Sequence, residues 1–215
     1  MLIDLSHPIE HGMITYAGLP APAISDFLTR EASRSRYASG TEFHIGRIDM
    51  VANTGTYLDA PSHRFTVGSD VSMIPLDAVA NLQAVVIHAS GRSIDRASVA
   101  DLDIRGKALL IHTGWSRHWR TETYFNNQHP FVSRDAAENL ADSGVRVVGI
   151  DSYNIDDTAD LTRPGHTILL RVGIFIVEHL TNLESLPDSG VIRFFAVPPK
   201  VRGLGTFPVR AFAMV

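Results

Sequence analysis

The sequence contains no cysteine. That excludes a disulfide framework, a thiolate metal centre and a cysteine nucleophile, and it fits a reducing compartment. No apolar stretch reaches the roughly 18 residues that a membrane-spanning helix requires. The opening segment, MLIDLSHPIEHGM, carries Asp4, His7 and Glu10 where a secretory signal would need an apolar run. The expectation is a cytoplasmic protein with no membrane partner. Charge of one sign never accumulates: 19 Lys and Arg against 23 Asp and Glu leave a net charge of −4. The basic face that nucleic-acid binding needs is therefore missing. Repeats, low-complexity tracts and linker-like stretches are absent too. The 215 residues suit a single domain, 1–215, that can bury a core without staples.

What is present is mostly sheet-forming. Short apolar runs rich in branched residues predict strands at Gln83–His88, Lys107–His112, Val145–Ile150, Gly173–Val177, Val191–Val197 and Pro208–Val215, with a weaker one at Phe43–Ala52. Helices are fewer. Ser133–Ser143 opens on a capping serine and stops before Gly144. A second helix is expected near Pro75 and a short third over Thr167–Val172. Arg30–Thr41 and Arg117–Pro130 lack periodicity and read as long surface loops. This mixed order predicts an α/β or α+β domain around a sheet.

Ten histidines are many for this length, and imidazole serves both as metal ligand and as acid–base group. The densest polar segment is Asn53-Thr-Gly-Thr-Tyr57-Leu-Asp59-Ala-Pro61-Ser-His63-Arg-Phe65. Tyr57 and Asp59 are two apart and share a face if the segment is extended, and Pro61 turns the chain toward His63. A carboxylate and an imidazole so placed suit a metal or a general-base pair. They equally suit a loop in which Asp59 accepts backbone hydrogen bonds and His63 is an ordinary polar residue. Glu178 ends an apolar strand and needs a partner there. Asp151, Asp156, Asp157 and Asp160 read as a solvated turn with aspartate caps.

The Asn53–Phe65 segment resembles the signature of the cyclase family of kynurenine-formamidase-like hydrolases, His-x-Gly-Thr-His-x-Asp-x-Pro-x-His-Phe. Gly55, Thr56, Asp59, Pro61 and His63 match, and Phe65 follows one place late. The likeness continues through Leu2–Ile9, Leu110–Trp119, Gly149–Asp157, His166, Glu178–Leu180 and Gly203–Ala211. It implies a single-domain α/β fold with a mixed sheet core and flanking helices. It also implies a homodimer or homotetramer, and a hydrolase or cyclase acting on a small amide, formamide or lactone. N-formylkynurenine, from tryptophan catabolism, is the family's best-known substrate.

The resemblance further implies two metal sets. The second, Asp59, His63, His166 and Glu178, is complete and suits one zinc or manganese ion. The first has lost both leading histidines, to Asn53 and Tyr57, and is expected to be empty. A phenol with a reference pKa of about 10 is a costly ligand at neutral pH. If no metal binds, the expectation is that His63 acts as general base and Tyr57 donates to a developing oxyanion. Asn53, Phe65 and Trp115 are assigned to the substrate pocket, with core packing as the alternative for Trp115. The competing functional readings are a metal-depleted relative that binds a ligand without hydrolysis and a metal-independent cyclase or isomerase.

Overall fold

Strands buried on both faces read as unbroken apolar runs, and three such runs, with a fourth that is only partly covered, form the centre of the molecule. A computed structural model describes all residues, 1–215. In chain order its strands are β1 (Leu2–Asp4), β2 (Ala23–Leu28), β3 (Ile45–Asp49), β4 (Tyr57–Asp59), β5 (Leu82–His88), β6 (Ser93–Ile94), β7 (Ala108–His112), β8 (Phe131–Val132), β9 (Val147–Ile150), β10 (Phe175–Glu178), β11 (Ile192–Phe195), β12 (Thr206–Pro208) and β13 (Phe212–Met214). The α-helices are α1 (Arg30–Ser33), α2 (Arg134–Ser143) and α3 (Pro164–Arg171). Nine strands make one mixed sheet in the order β1-β13-β11-β5-β7-β9-β10-β4-β12. Its middle, β5-β7-β9-β10, is parallel, and every other pairing is antiparallel.

The sheet is curled. An isolated bridge joins Ser6 to Leu180, and the Thr181 amide donates to the Leu5 carbonyl at 3.1 Å. These residues directly follow β1 and β10, which lie six strand steps apart, about 29 Å in a flat sheet at about 4.8 Å per step. Only a closed curve brings them into contact. Inside it lies one apolar cluster holding Ile3, Leu58, Leu110, Val177, Phe194 and Ala213. The outer face of the parallel strands is covered by α2 and α3 through Ala136, Leu140, Leu169 and Leu170, packed on Leu109, Val148 and Ile176.

The α2 helix follows its sequence signals: the Ser133 side chain accepts from the Ala136 amide, and Gly144 takes the left-handed C-terminal position at φ 79°. Several expectations are corrected. Pro208–Val215 is two strands, because β12 pairs with β4 and β13 pairs with β1 and β11, on opposite sides of the sheet. The helix near Pro75 is one 3-10 turn, Leu76–Ala78. The α3 helix starts three residues earlier than expected, with Pro164 at its first position, where a missing N–H costs nothing. The two presumed loops contain short helical turns, and within the second Tyr124 and His129 are buried. No helix is long and apolar enough to cross a membrane.

Candidate active site and metal centre

Alternation along two neighbouring strands builds the site. In β4, Leu58 points into the enclosed core while Tyr57 and Asp59 point the other way; in β10, Val177 points into the core and Glu178 away from it. Glu178 is the cross-strand partner of Tyr57, and the Tyr57 hydroxyl donates to Glu178 Oε2 at 2.6 Å. Thr206 of β12 is the cross-strand partner of Asp59 on the other side, and its hydroxyl donates to Asp59 Oδ1. After Asp59 the chain bends into a 3-10 turn, Pro61–His63, which brings His63 back over the carboxylate with Nε2 3.8 Å from Asp59 Oδ1. The first turn of α3 supplies His166, whose Nε2 lies 3.5 Å from Asp59 Oδ2 and 3.7 Å from Glu178 Oε1.

Hydrogen bonds fix which ring nitrogens face the cleft. The Thr206 proton goes to Asp59, so the 2.8 Å contact between Thr206 Oγ1 and His63 Nδ1 requires Nδ1–H to donate, leaving Nε2 as an acceptor. His166 Nδ1 donates to Asp156 Oδ2 at 2.7 Å, and Asp156 also accepts from the Gly165 and His166 amides. A carboxylate behind an imidazole in this way orients it as a ligand and raises its basicity. Asp59 is fully buried, yet its Oδ2 has no hydrogen-bond partner.

Asp59, Asp156 and Glu178 thus set three buried carboxylates around one imidazole. Burial opposes a charge on His166, but Glu178, Asp156 and Asp59 outweigh it and hold the ring proton well above the usual histidine range. Burial, reinforced by the Asp59 charge, raises Glu178 to about 7. Asp59 stays below its usual value because its contacts with His166 and His63 overcome desolvation. The ensemble calls for positive charge. Asp59, His63 and His166 each offer an atom, all within 4.8 Å of one another, and no other group of three or more such side chains in the chain does so. An orphaned buried carboxylate oxygen beside two imidazoles fits a divalent cation, which would take the place of the proton on His166 Nε2.

The residues replacing the family's leading histidines line the same cleft, of about 280 Å³, together with Tyr16, Leu19 and Asn154. Tyr57 is a donor and no phenolate: burial, then Glu178 and Asp59, push its pKa well above 10.0. Phe65 and Trp115 do not line the cleft, correcting both pocket assignments. The Phe65 ring packs on the helix-side core beneath Arg64 and Arg171, and Trp115 Nε1 is spent on the Tyr124 carbonyl at 3.1 Å. The acidic turn is also corrected, because Asp151 and Asp156 are fully buried. Asp151 accepts from the Thr113 amide and hydroxyl and the Gly114 amide.

Sequence reasoning missed Asp156, Thr206 and His179. His179 directly follows Glu178, with Nε2 3.3 Å from Tyr57 Oη and Nδ1 3.0 Å from Tyr124 Oη; burial lowers its pKa to about 3. Its position beside a strand-end glutamate was the available signal. Asp156 lay within the family-like Gly149–Asp157 stretch, but nothing there set it apart from the other acids.

The description "Putative cyclase" belongs to the family model that matches residues 3–157. Kynurenine formamidase of Bacillus cereus is 28% identical over 210 residues, covering 97% of this chain and 95% of that protein. The kynurenine formamidase of Geobacillus thermodenitrificans is 32% identical over 181 residues, 83% of this chain and 84% of the relative. A solved structure described as a potential metal-dependent hydrolase with cyclase activity superposes with a TM-score of 0.80 at 30% identity, covering 99% of this chain and 96% of the other. With the family model spanning most of the chain and the likeness in structure running from end to end, this protein belongs to the cyclase family.

Proposed function

We propose that this protein is a metal-dependent hydrolase of small amides, cleaving a carbon–nitrogen bond other than a peptide bond in an N-formyl arylamine or a related cyclic amide. The observation that carries the reading is the buried, unpartnered Asp59 Oδ2, with His166 Nε2 3.5 Å away and His63 Nε2 3.8 Å from the other oxygen of the same carboxylate. Asp59, His63 and His166 would hold the ion, zinc or manganese, and Glu178 would close the set through Oε1. Bound there, the ion would supply Lewis acidity toward a carbonyl oxygen or a water molecule. The kynurenine formamidases among the relatives support an amide substrate.

The protein's own groups manage the protons. Tyr57 stays neutral, so its hydroxyl can turn from Glu178 Oε2 to an oxygen on which negative charge develops. Glu178 Oε2, freed by that turn, takes a proton from the attacking water and returns it to the departing nitrogen, giving an acid and an amine. The hydrogen bond from Tyr57 places Glu178 Oε2 at the cleft for both transfers. A cytoplasmic setting and assembly as a homodimer or homotetramer belong to the same proposal. The β2–β3 ribbon supports the assembly: it exposes Ile24, Ile45, Ile48 and Phe27, the last at 70%, although two-stranded ribbons are marginal alone in water.

The test is hydrolysis of N-formylkynurenine and formanilide by protein depleted of metal with a chelator and then titrated with zinc or manganese. Activity should be lost on depletion and return at about one equivalent, and Asp59→Asn should abolish both tight binding and turnover. Full turnover by metal-free protein would overturn the reading.

A further inference from the structure

Two cations face the cleft without an acid to neutralise them. Arg64 directly follows His63, and Arg163 stands three residues before His166, so each sits at the rim beside a residue of the proposed metal centre. The guanidinium and ammonium groups of Arg34, Arg92, Lys107, Arg120 and Arg210 are each paired with a carboxylate. Arg64 and Arg163, like most other arginines of the chain, make no such pair, but they are the two that line this cleft. Arg64 Nε is anchored on the Thr167 hydroxyl at 3.2 Å and its guanidinium lies over the Phe65 ring, 5.6 Å from the centroid, while its terminal nitrogens make no hydrogen bond. Arg163 Nη1 is buried and has no partner at all.

The backbone adds a second, independent sign. Arg163 is held in the left-handed region at φ 48°, ψ 63°, immediately before Pro164. A side chain with a Cβ disfavours that region, and a following proline disfavours it again. Residues kept in such conformations cluster at ligand clamps, where the direction of the side chain matters. A guanidinium presents a planar fork that matches a carboxylate, and a buried, unspent one gains most from such a partner. Asp59 and Glu178 already place two acidic groups in the cleft, which favours a monoanion over a phosphate dianion. Tyr16, its ring 4.8 Å from that of Tyr153, and Leu19 give the same cleft an apolar wall suited to a ring.

From this geometry we infer a carboxylate subsite: Arg163, assisted by Arg64, binds an acid group carried by the substrate, so that the amide cleaved is that of a small aromatic acid. The inference rests on the amide-hydrolase reading for the reaction, but the subsite has its own readout. Calorimetry of the metal-loaded protein with benzoate and benzamide measures anion binding without turnover. The rate ratio between 2-formamidobenzoate and formanilide measures its use in catalysis.

Arg163→Gln should weaken benzoate at least tenfold and leave benzamide unchanged. The kcat/KM advantage of 2-formamidobenzoate should collapse by a similar factor, through KM. Arg163→Lys, which keeps the charge and loses the fork, and Arg64→Gln should fall between wild type and Arg163→Gln; they decide the matter if Arg163→Gln does not fold. Benzoate held only by the metal would keep its affinity in all three variants, and that result, or an unchanged rate ratio, overturns the subsite. If wild type hydrolyses neither formamide, the amide-hydrolase reading fails while the benzoate series still decides the subsite.

Discussion

Replacing Asp156 by Asn keeps its shape and removes the charge that holds His166 Nδ1 at 2.7 Å. Loss of such an outer partner typically costs 10–100-fold in metal affinity, so Asp156→Asn should weaken zinc by about that factor in a competition titration, with the fold intact by circular dichroism. The converse change rebuilds what the sequence lost. Asn53→His with Tyr57→His should add a second metal equivalent by elemental analysis, and no gain would mean that these positions do not correspond to the family's histidines. At the acid end, His7 is stacked on Trp119 at 3.9 Å, and burial, helped by Arg120, lowers its pKa from 6.5 to about 4. Between those values the unfolded chain binds a proton that the folded chain refuses, so stability falls as pH drops from 6.5 toward about 4 and is unaffected by this group above 6.5. His7→Phe preserves the stacking and should make the fall of melting temperature across that window shallower, the remainder belonging to groups such as His179. The residues that meet at the cleft were legible where a motif marked them, as with Asp59 and His63. Asp156 and Thr206 fell inside the family-like stretches Gly149–Asp157 and Gly203–Ala211, but an aspartate among surface-type acids and a threonine in a three-residue strand look alike whether they hold an imidazole or face water.

The 3-10 turn that carries His63 is clamped by bare backbone. A Cβ on Gly205 would stand 2.3 Å from the His63 nitrogen and 2.5 Å from its Cα, and one on Gly68 would stand 2.5 Å from the Pro61 carbonyl carbon. Neither obstacle is a flexible side chain, so the turn itself must shift. Gly205→Ala should therefore lower the melting temperature by several degrees and weaken metal binding at least tenfold, both measured on the same preparation; unchanged affinity would show that the turn tolerates the displacement. The elements read most easily from sequence were those whose physics is local or uniform: α2 with its two caps, and the apolar runs of β5, β7, β9 and β10, of which the last three are covered on both faces. β4 escaped notice because only Leu58 of its three residues enters the enclosed core. β12 and β13 merged into one run because nothing nearby in sequence says that they pair on opposite sides of the sheet.

At the scale of the whole molecule, the exposed β2–β3 ribbon predicts association with a second copy. Sedimentation of wild type should give a dimer or tetramer, and Phe27→Glu with Ile48→Glu should shift the population toward monomer by at least tenfold in dissociation constant. A monomeric wild type at micromolar concentration would remove the ribbon as an assembly surface. The sheet order has a further consequence in time. β4 is made early but is hydrogen-bonded only to β10 and β12, more than a hundred residues downstream. A chain still leaving the ribosome therefore carries Asp59 and His63 long before His166 and Glu178 exist to meet them. Ion capture is thus deferred until synthesis has passed the far side of the sheet, and an incomplete chain has no means of becoming a prematurely armed hydrolase.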